Sequence, residues 1–219
     1  GDPWENLLFQ TKAIGRDGIP LNTGGAGCKI YVQSWTRTEE SDAMWRLYGS
    51  GKSVRIRSTA GALLQRVQDQ FSLENNEWVT FKIGAVKYLD SARVEKSFAS
   101  PKRFRAGLRD PHEATLFKRL AFRHENEVRL VAWDVDDRNR RPELGPTNLK
   151  EYPTNPYHLD IALGKHGDIK WIEEAVINPR LSQADADALA NEIASSGFAR
   201  NRIRKSTLYG CLHVTIDLR

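Results

Sequence analysis

The sequence predicts an α+β fold: a single domain over residues 1–219 with a mixed or mostly antiparallel sheet and about four helices. Strand-like and helix-like segments are interleaved from end to end, but the strands do not alternate strictly with helices of crossover length. This order disfavours a doubly wound parallel sheet. No internal repeat or linker interrupts the chain, and 219 residues suffice to bury a core without disulfides or metal.

The first half of the chain carries alternating strand and helix signals. The predicted elements are a strand over 29–35, a helix from Thr38 to Gly49 with Met44, Leu47 and Tyr48 on one face, a strand over 54–57, a helix capped by Ser58 with Leu63, Leu64, Val67 and Phe71 inward, and a strand over 78–89 that bends at Gly84. Alternation of apolar and polar residues indicates the strands, and a recurrence every three to four residues indicates the helices. Hydroxyl side chains before an apolar-periodic segment are typical helix caps.

The second half continues in the same way. The predicted elements are a basic loop over 96–109, a helix capped by Asp110 with Leu116, Phe117, Leu120 and Ala121 toward the core, a strand over 127–133, an exposed loop over 136–156, strands over 157–163 and 169–178, a helix capped by Ser182 with Ala186, Leu189, Ala190 and Ile193 inward, and a strand over 212–218. Asp110 is predicted as a helix cap because Pro111 follows it and Glu113 lies three residues later. Ser182 is predicted as a cap because Asp185 lies three residues later. Gly197 is predicted to end the last helix.

The composition excludes several classes of protein. Hydrophobic residues make up 40% of the chain and charged residues 28%, which excludes a disordered, collagenous or low-complexity protein. No apolar run approaches the roughly 18 residues that a membrane span needs, so no membrane partner is expected. The net charge of +5 is compatible with a nucleic-acid or nucleotide partner. Without a signal-peptide pattern, Cys28 and Cys211 are expected to be reduced thiols in the cytoplasm, and no structural metal is expected.

The segment from Phe122 to Arg129 holds the most pointed pattern. If it is extended, Glu125 and Glu127 face the same side and present paired carboxylates beside the strand over 127–133. Two neighbouring carboxylates can divide labour, because the pairing separates their pKa values. The alternative is a solvated face on which Glu125 and Glu127 pair with Arg123, Arg129, Lys118 or Arg119.

Hydroxyl groups mark the end of the strand over 29–35. Ser34 and Thr36 lie two residues apart there, a spacing that can hydrogen-bond a carboxylate or a ligand amide. The alternative is an ordinary strand end and helix cap, which Ser and Thr commonly supply.

Acidic and basic residues elsewhere allow a second kind of function. Asp134 and Asp136 follow a strand, where carboxylates could hold Mg²⁺ in a nuclease. The basic runs over 103–109, 138–141 and 200–205 could contact phosphates. The alternative is a set of solvated, charge-balanced loops.

Several motifs occur in order across nearly the whole chain. They are Gly1-Asp2-Pro3-Trp4-Glu5, Ser34-Trp35-Thr36, the segment 40–48 ending in Met44-Trp45-Arg46-Leu47-Tyr48, the segment 54–59, Lys118-Arg119 with Phe122 and Glu125-x-Glu127-x-Arg129, and Lys205-Ser206-x-Leu208. Together they resemble a large bacterial family known only as a domain of unknown function. In that family the Asp-Pro-Trp-Glu element follows an N-terminal strand, so the resemblance implies that such a strand is missing before Gly1.

The arrangement is also similar to the ADP-ribosyltransferase fold, which has a Ser-x-Ser/Thr strand end and a Glu-x-Glu that opens a later strand. The resemblance implies that Ser34 orients Glu127, that Glu127 stabilises a ribosyl cation as nicotinamide leaves NAD, and that Glu125 positions or deprotonates the acceptor. It further implies NAD as the substrate. The residues it places around NAD are Thr36, Trp35, Trp45 and Tyr48.

Three hypotheses follow for the function. The first is a toxin or phage-defence effector that ADP-ribosylates nucleic acid or protein. The second is a nucleic-acid-binding or metal-dependent nuclease module, and the third is a non-catalytic interaction domain in which Met44, Trp45 and Phe122 belong to the core.

Overall fold

The computed structural model describes residues 13–14, 18, 20–21, 30–73, 79–98, 111–134 and 169–210. Over these residues the protein has the predicted α+β fold with mostly antiparallel pairing. The strands are β1 (Ala13–Ile14), β2 (Pro20–Leu21), β3 (Ile30–Thr36), β4 (Val54–Arg57), β5 (Val79–Ala85), β6 (Lys87–Leu89), β7 (Phe117–Arg119), β8 (Glu127–Asp134), β9 (Glu174–Ile177) and β10 (Ile203–Lys205). The α-helices are α1 (Asp42–Tyr48), α2 (Ala60–Leu73), α3 (Ser91–Phe98), α4 (Pro111–Thr115) and α5 (Gln183–Ser195), and Leu120–Glu125 and Arg200–Arg202 are 3₁₀ helices.

The described residues divide into two compact units. The first unit takes its members from Gly1–Arg37 and Leu64–Ala162, and the second from Thr38–Leu63 and Leu163–Arg219. The organisation of residues 1–219 as one domain stays a prediction. None of the helices in the described ranges is both long and apolar enough to cross a membrane.

The first unit is built on an antiparallel sheet in the order β3-β8-β5. In its register, Arg129 of β8 lies opposite Ser34 on one side and Gly84 on the other, and Glu127 lies opposite Thr36. Because paired residues of a sheet point to the same face, these side chains share one face. Beside this sheet, β6 and β7 pair in parallel with Tyr88 opposite Lys118.

Helix α4 packs closely on that face. A Cβ atom on Gly84 would lie 2.5 Å from Leu116 Cδ1 and 3.0 Å from His112 Nε2. The His112 ring also stacks on Trp133 with 6.1 Å between centroids. Glycine therefore allows the close approach of this helix to the sheet.

The second unit has a mixed sheet in the order β10-β9-β4, with β10 parallel and β4 antiparallel to β9. Helix α5 packs on this sheet through the predicted inner face, in which Ala186, Leu189 and Ala190 are buried. Ser182 caps the helix, since its Oγ accepts a hydrogen bond of 3.0 Å from the backbone N–H of Asp185. Gly197 follows the helix with a φ of 96°, the left-handed conformation that glycine favours.

Helix α1 differs from the prediction at its start and in its buried face. It begins at Asp42 after Ser41 rather than at Thr38. Trp45 is its buried residue, whereas the side chains of Leu47 and Tyr48 are 60% and 65% exposed. The angle between two residues of an α-helix is the same wherever the helix begins, so the difference lies in the side that packs, which contains Trp45.

The helix that follows Asp110 is shorter than predicted. It ends at Thr115, and the chain then enters β7, which pairs with β6. The sheet partner decides this change, since tertiary pairing overrides helix propensity. Leu116 is buried as predicted, but Leu120 is 51% exposed.

Smaller differences concern caps and strand ends. Thr59 rather than Ser58 caps α2, with a hydrogen bond of 3.1 Å from the Ala62 N–H, while the Ser58 hydroxyl donates to the backbone oxygen of Trp171. The predicted strand over 78–89 is two strands, interrupted at Val86 rather than bent at Gly84. Helix α3 and strand β10 were not predicted.

Several predictions fall outside the described residues. These are the strands over 157–163 and 212–218, the loops over 99–109 and 136–156 with Asp136, the basic runs over 103–109 and 138–141, and the two cysteines.

Candidate functional site

Ser34, Glu125 and Glu127 lie together in the first unit. The Ser34 hydroxyl donates a hydrogen bond to Oε1 of Glu127. The Nζ of Lys118 lies 2.5 Å from Oε2 of Glu125 and 3.2 Å from Oε2 of Glu127. A single buried ammonium group therefore joins the two carboxylates.

The sequence suggested an extended backbone between the two glutamates, but the structure has a turn there. Glu125 ends a 3₁₀ helix, Asn126 adopts the left-handed conformation with a φ of 44°, and Glu127 begins β8. The two carboxylates thus converge through a turn and not through strand alternation. Asparagine is one of the few non-glycine residues that tolerate this conformation.

Thr36 and Arg37, two consecutive residues at the end of β3, hold this turn in place. The Thr36 hydroxyl donates a hydrogen bond of 2.6 Å to the backbone oxygen of Glu125. The Arg37 guanidinium donates two hydrogen bonds, of 2.8 and 3.1 Å, to Oδ1 of Asn126. Thr36 therefore contacts the site through the backbone of Glu125.

Arg129 binds the Glu127 carboxylate with two hydrogen bonds. Its Nε lies 2.8 Å from Oε1 and its Nη2 lies 3.2 Å from Oε2 of Glu127. The third guanidinium nitrogen donates a hydrogen bond of 2.5 Å to the backbone oxygen of Thr115. Helix α4 and strand β8 together fix the orientation of this arginine.

The Glu127 carboxylate is fully hydrogen-bonded. Ser34 and Arg129 donate to one oxygen, and Lys118 and Arg129 donate to the other. A carboxylate has about four lone-pair positions, so its acceptor capacity is filled. Glu127 is held in one orientation and acts on its surroundings chiefly through its charge.

The pKa of Glu127 is lower than its ordinary value. Burial alone raises this pKa, but the hydrogen bonds from Arg129 and Ser34, together with the positive charges of Arg129 and Lys118, lower it by more. Glu127 is therefore ionised at neutral pH.

The charged groups are buried, and the hydroxyl beside them is not. The exposed fraction is 7% for Glu125 and Lys118 and 3% for Glu127 and Arg129. Ser34, in contrast, is an exposed residue. Two carboxylates and two cations balance each other in charge, as buried ions require. The burial contradicts the solvated face of the alternative, whereas its pairing of the glutamates with Lys118 and Arg129 is confirmed.

Tyr88 completes the site. Its hydroxyl oxygen accepts a hydrogen bond of 2.7 Å from the backbone N–H of Glu127. Burial raises the pKa of Tyr88, and the negative charges of Glu127 and Glu125 add to this effect despite the opposing hydrogen bond and Lys118. The phenol is therefore protonated at neutral pH.

The aromatic residues predicted around NAD are divided between the two units, with Trp35 in the first and Trp45 and Tyr48 in the second. Trp35 is opposite Val128, so its side chain is on the other face of the sheet from Glu127, and its Nε1 donates to Oε1 of Gln33 at 3.0 Å. Trp45 and Tyr48 belong to the second unit, where Trp45 is buried with its Nε1 3.4 Å from Oε1 of Glu40. Their roles in NAD binding stay predictions.

Sequence reasoning named Lys118 and Arg129 only as partners of the glutamates on a solvated face, and it missed Tyr88 altogether. Arg129 had a detectable signal, since it lies two residues after Glu127 on the same strand. Tyr88 had no such signal, because it reaches the site through the pairing of β6 with β7.

Metal ligands were part of the nuclease hypothesis. Within the described ranges, no group of three or more His, Cys, Asp and Glu side chains could hold a metal ion. Between the two glutamates the cation is Lys118.

The fold and site thus describe an α+β protein with a buried carboxylate–ammonium–guanidinium cluster under an exposed serine. No family model matches the sequence, and no curated protein or solved structure matches it. The resemblances to a bacterial family and to the ADP-ribosyltransferase fold stay predictions.

Proposed function

We propose that the protein is an ADP-ribosyltransferase-like enzyme that uses NAD as its substrate. The observation that carries the proposal is the convergence of Ser34, Glu127 and Glu125 from two distant segments of the chain. The acceptor would be a nucleic acid or a protein, in keeping with a bacterial toxin or phage-defence effector. The cytoplasm, where NAD is available, is the proposed location.

Glu127 would supply the charge that the reaction needs. When the bond between C1′ of the ribose and the nicotinamide nitrogen breaks, the electron pair leaves with nicotinamide and positive charge develops on the ribose. An ionised carboxylate held in a fixed orientation stabilises such charge without reorganising during the reaction. The lowered pKa of Glu127 keeps it in the required form.

Glu125 would act on the acceptor. A nucleophilic oxygen or nitrogen of the acceptor forms the new bond to C1′, and its proton passes to the Glu125 carboxylate. Lys118 lies between this carboxylate and that of Glu127. It would keep the two negative charges together in a buried place.

The exposed side of the site indicates where substrate would approach. Glu125 and Glu127 are buried, whereas Ser34, which donates a hydrogen bond to Glu127, is exposed. NAD would therefore reach the cluster from the side of the Ser34 hydroxyl.

The test is release of nicotinamide from NAD, with and without mixed nucleic-acid and protein acceptors, by the wild type and by Glu127→Gln. A Glu113→Gln variant is the matched control, because the Glu113 side chain is 60% exposed and bonded to Lys87. We expect turnover by the wild type and the control, and a loss of roughly 100-fold or more in Glu127→Gln.

Absence of both NAD turnover and NAD-induced thermal stabilisation in the wild type would refute the proposal. Circular dichroism of each variant separates a loss of chemistry from a loss of fold. If Glu127→Gln does not fold, Ser34→Ala and Glu125→Gln serve the same comparison, since each removes a smaller part of the cluster.

A further inference from the structure

The Tyr88 hydroxyl has one unused hydrogen-bonding capacity. Its oxygen accepts from the Glu127 N–H, so its own proton is directed elsewhere. Within the described part of the chain, no acceptor takes this proton. A tyrosine hydroxyl both donates and accepts, and this one is fixed by its accepted bond with the donor still available.

The strand geometry explains why Tyr88 stands at this place. Val86 donates to the backbone oxygen of Glu127 at 2.9 Å, and there β5 leaves β8. The N–H of Glu127 points toward the same side, because the N–H and C=O of a strand residue face the same neighbour. Tyr88 satisfies this N–H where the neighbouring strand has ended.

Tyr88 is close to both carboxylates and to the ammonium of the site. It lies opposite Lys118 in the parallel pair of β6 and β7, so the two side chains leave the ribbon on the same side. The residue is partly exposed, which leaves room for a ligand atom. Its raised pKa keeps the phenol in the donating form.

We propose that Tyr88 is a substrate-binding residue whose hydroxyl donates a hydrogen bond to a ribose hydroxyl on the nicotinamide side of NAD. This inference rests on the proposed function, because it places that ribose beside Glu127. A sugar hydroxyl is the fitting partner: it accepts from Tyr88 while its own proton remains free for another acceptor. The Glu127 carboxylate has no free position for such a bond, which makes Tyr88 the available contact.

The experiment measures NAD binding by calorimetry for the wild type, Tyr88→Phe and Tyr31→Phe. The control variant removes a hydroxyl from the sheet that carries Glu127, but Tyr31 lies opposite Ala132 and so faces away from Glu127. We expect Tyr88→Phe to bind NAD roughly two- to tenfold more weakly, the contribution of one neutral hydrogen bond. Tyr31→Phe should bind as the wild type does.

Analogues of NAD separate a substrate contact from a structural effect, because Tyr88→Phe also leaves the Glu127 N–H without its partner. NAD lacking the 2′-hydroxyl or the 3′-hydroxyl of the nicotinamide ribose is titrated into the wild type and Tyr88→Phe. For the analogue that lacks the contacted hydroxyl, the two proteins should bind equally. An equal loss with NAD and with both analogues would overturn the proposal, because it would show a structural role only.

The outcomes also separate this inference from the proposed function. If the wild type neither binds nor cleaves NAD, both fall. If the wild type binds NAD and Tyr88→Phe binds it with the same affinity, the role of Tyr88 falls and the proposed function stands.

Discussion

The hydroxyl of Ser34 donates a hydrogen bond to the carboxylate of Glu127, although the two residues are 93 positions apart in the sequence. The contact runs diagonally across β3 and β8, since the residue directly opposite Ser34 is Arg129. Arg129 in turn binds the same carboxylate. Glu127 and Arg129 belong to the same strand, and the register of β3 brings Ser34 to the same face. A one-residue slip of β3 would move Ser34 to the face opposite both residues.

The lowered pKa of Glu127 predicts a dependence of stability on acid pH. A carboxyl with a lower pKa in the folded state stabilises the fold above its ordinary pKa of 4.5, and this contribution is lost as the pH falls through the lower folded value. Removing the Ser34 hydroxyl takes away one of the causes of the shift. We therefore expect Ser34→Ala to lose less stability than the wild type between pH 5 and about pH 3.

Urea unfolding followed by tryptophan fluorescence across this pH range checks the prediction. Ser58→Ala is the control, because the Ser58 hydroxyl donates to a backbone oxygen and not to a carboxylate. It should lower the free energy of unfolding by a similar amount at every pH. Equal pH slopes for Ser34→Ala and the wild type would contradict the assignment.

Lys118 is expected to be important for stability because it neutralises two buried carboxylates. Lys118→Met keeps the apolar stem but leaves Glu125 and Glu127 without their shared cation. Removal of one partner from a buried ion pair costs about 3–5 kcal/mol. Lys87→Met is the matched control, since the Lys87–Glu113 pair has side chains 54% and 60% exposed, and such pairs contribute about 0–1 kcal/mol.

The double variant Lys118→Met with Glu125→Gln tests the cause of this loss. Neutralising Glu125 removes the uncompensated charge, so part of the lost stability should return. If the free energy of unfolding shows no such recovery, the loss comes from packing around the lysine stem and the electrostatic explanation is wrong.

Two glycines of the chain should respond in opposite ways to alanine. Gly84→Ala would place a methyl group 2.5 Å from Leu116 Cδ1, and Leu116 is buried, so we expect a loss of about 1–3 kcal/mol from overpacking. Gly61 lies in α2 with nothing within 4 Å of the added atom, and Gly61→Ala should gain about 0.4–1 kcal/mol. Thermal unfolding of both variants measures the difference, and a neutral Gly84→Ala would mean that α4 moves aside freely.

Local signals were sufficient where an element's own residues determine it. Ser182 caps α5 as predicted, and the spacing of the apolar residues of α5 predicted its buried face correctly. The cap and the apolar spacing are both properties of the helix and its first neighbour. The strand over 127–133 was predicted for the same reason, as β-branched and aromatic residues are concentrated there. These elements need no knowledge of distant partners.

Local signals were insufficient where a partner strand decides the structure. The periodicity after Asp110 favours a longer helix, but residues 117–119 pair with β6 and become a strand. The same pairing brings Lys118 and Tyr88 to the glutamates. For this reason the hydroxyl, the carboxylates and the cations that pair with them could be named from sequence, whereas the burial of those cations and the phenol could not.

The conformation of Asn126 determines how Glu125 and Glu127 converge, and it can be tested by substitution. Asn126 has a φ of 44°, a conformation that costs a residue with an ordinary Cβ about 1–2 kcal/mol. Asn126→Ala should therefore destabilise the protein by this amount in addition to the loss of the contacts from Arg37. Asn126→Gly loses the same contacts but adopts the conformation without strain.

The difference between the two variants isolates the backbone effect, because both lack the side-chain amide. We expect Asn126→Gly to be the more stable variant in urea unfolding, even though glycine raises the conformational entropy of the unfolded chain. If Asn126→Ala were the more stable one, the left-handed turn would not be required at this position. Glu125 and Glu127 would then approach Lys118 through another backbone path, and the extended arrangement suggested by their spacing would regain support.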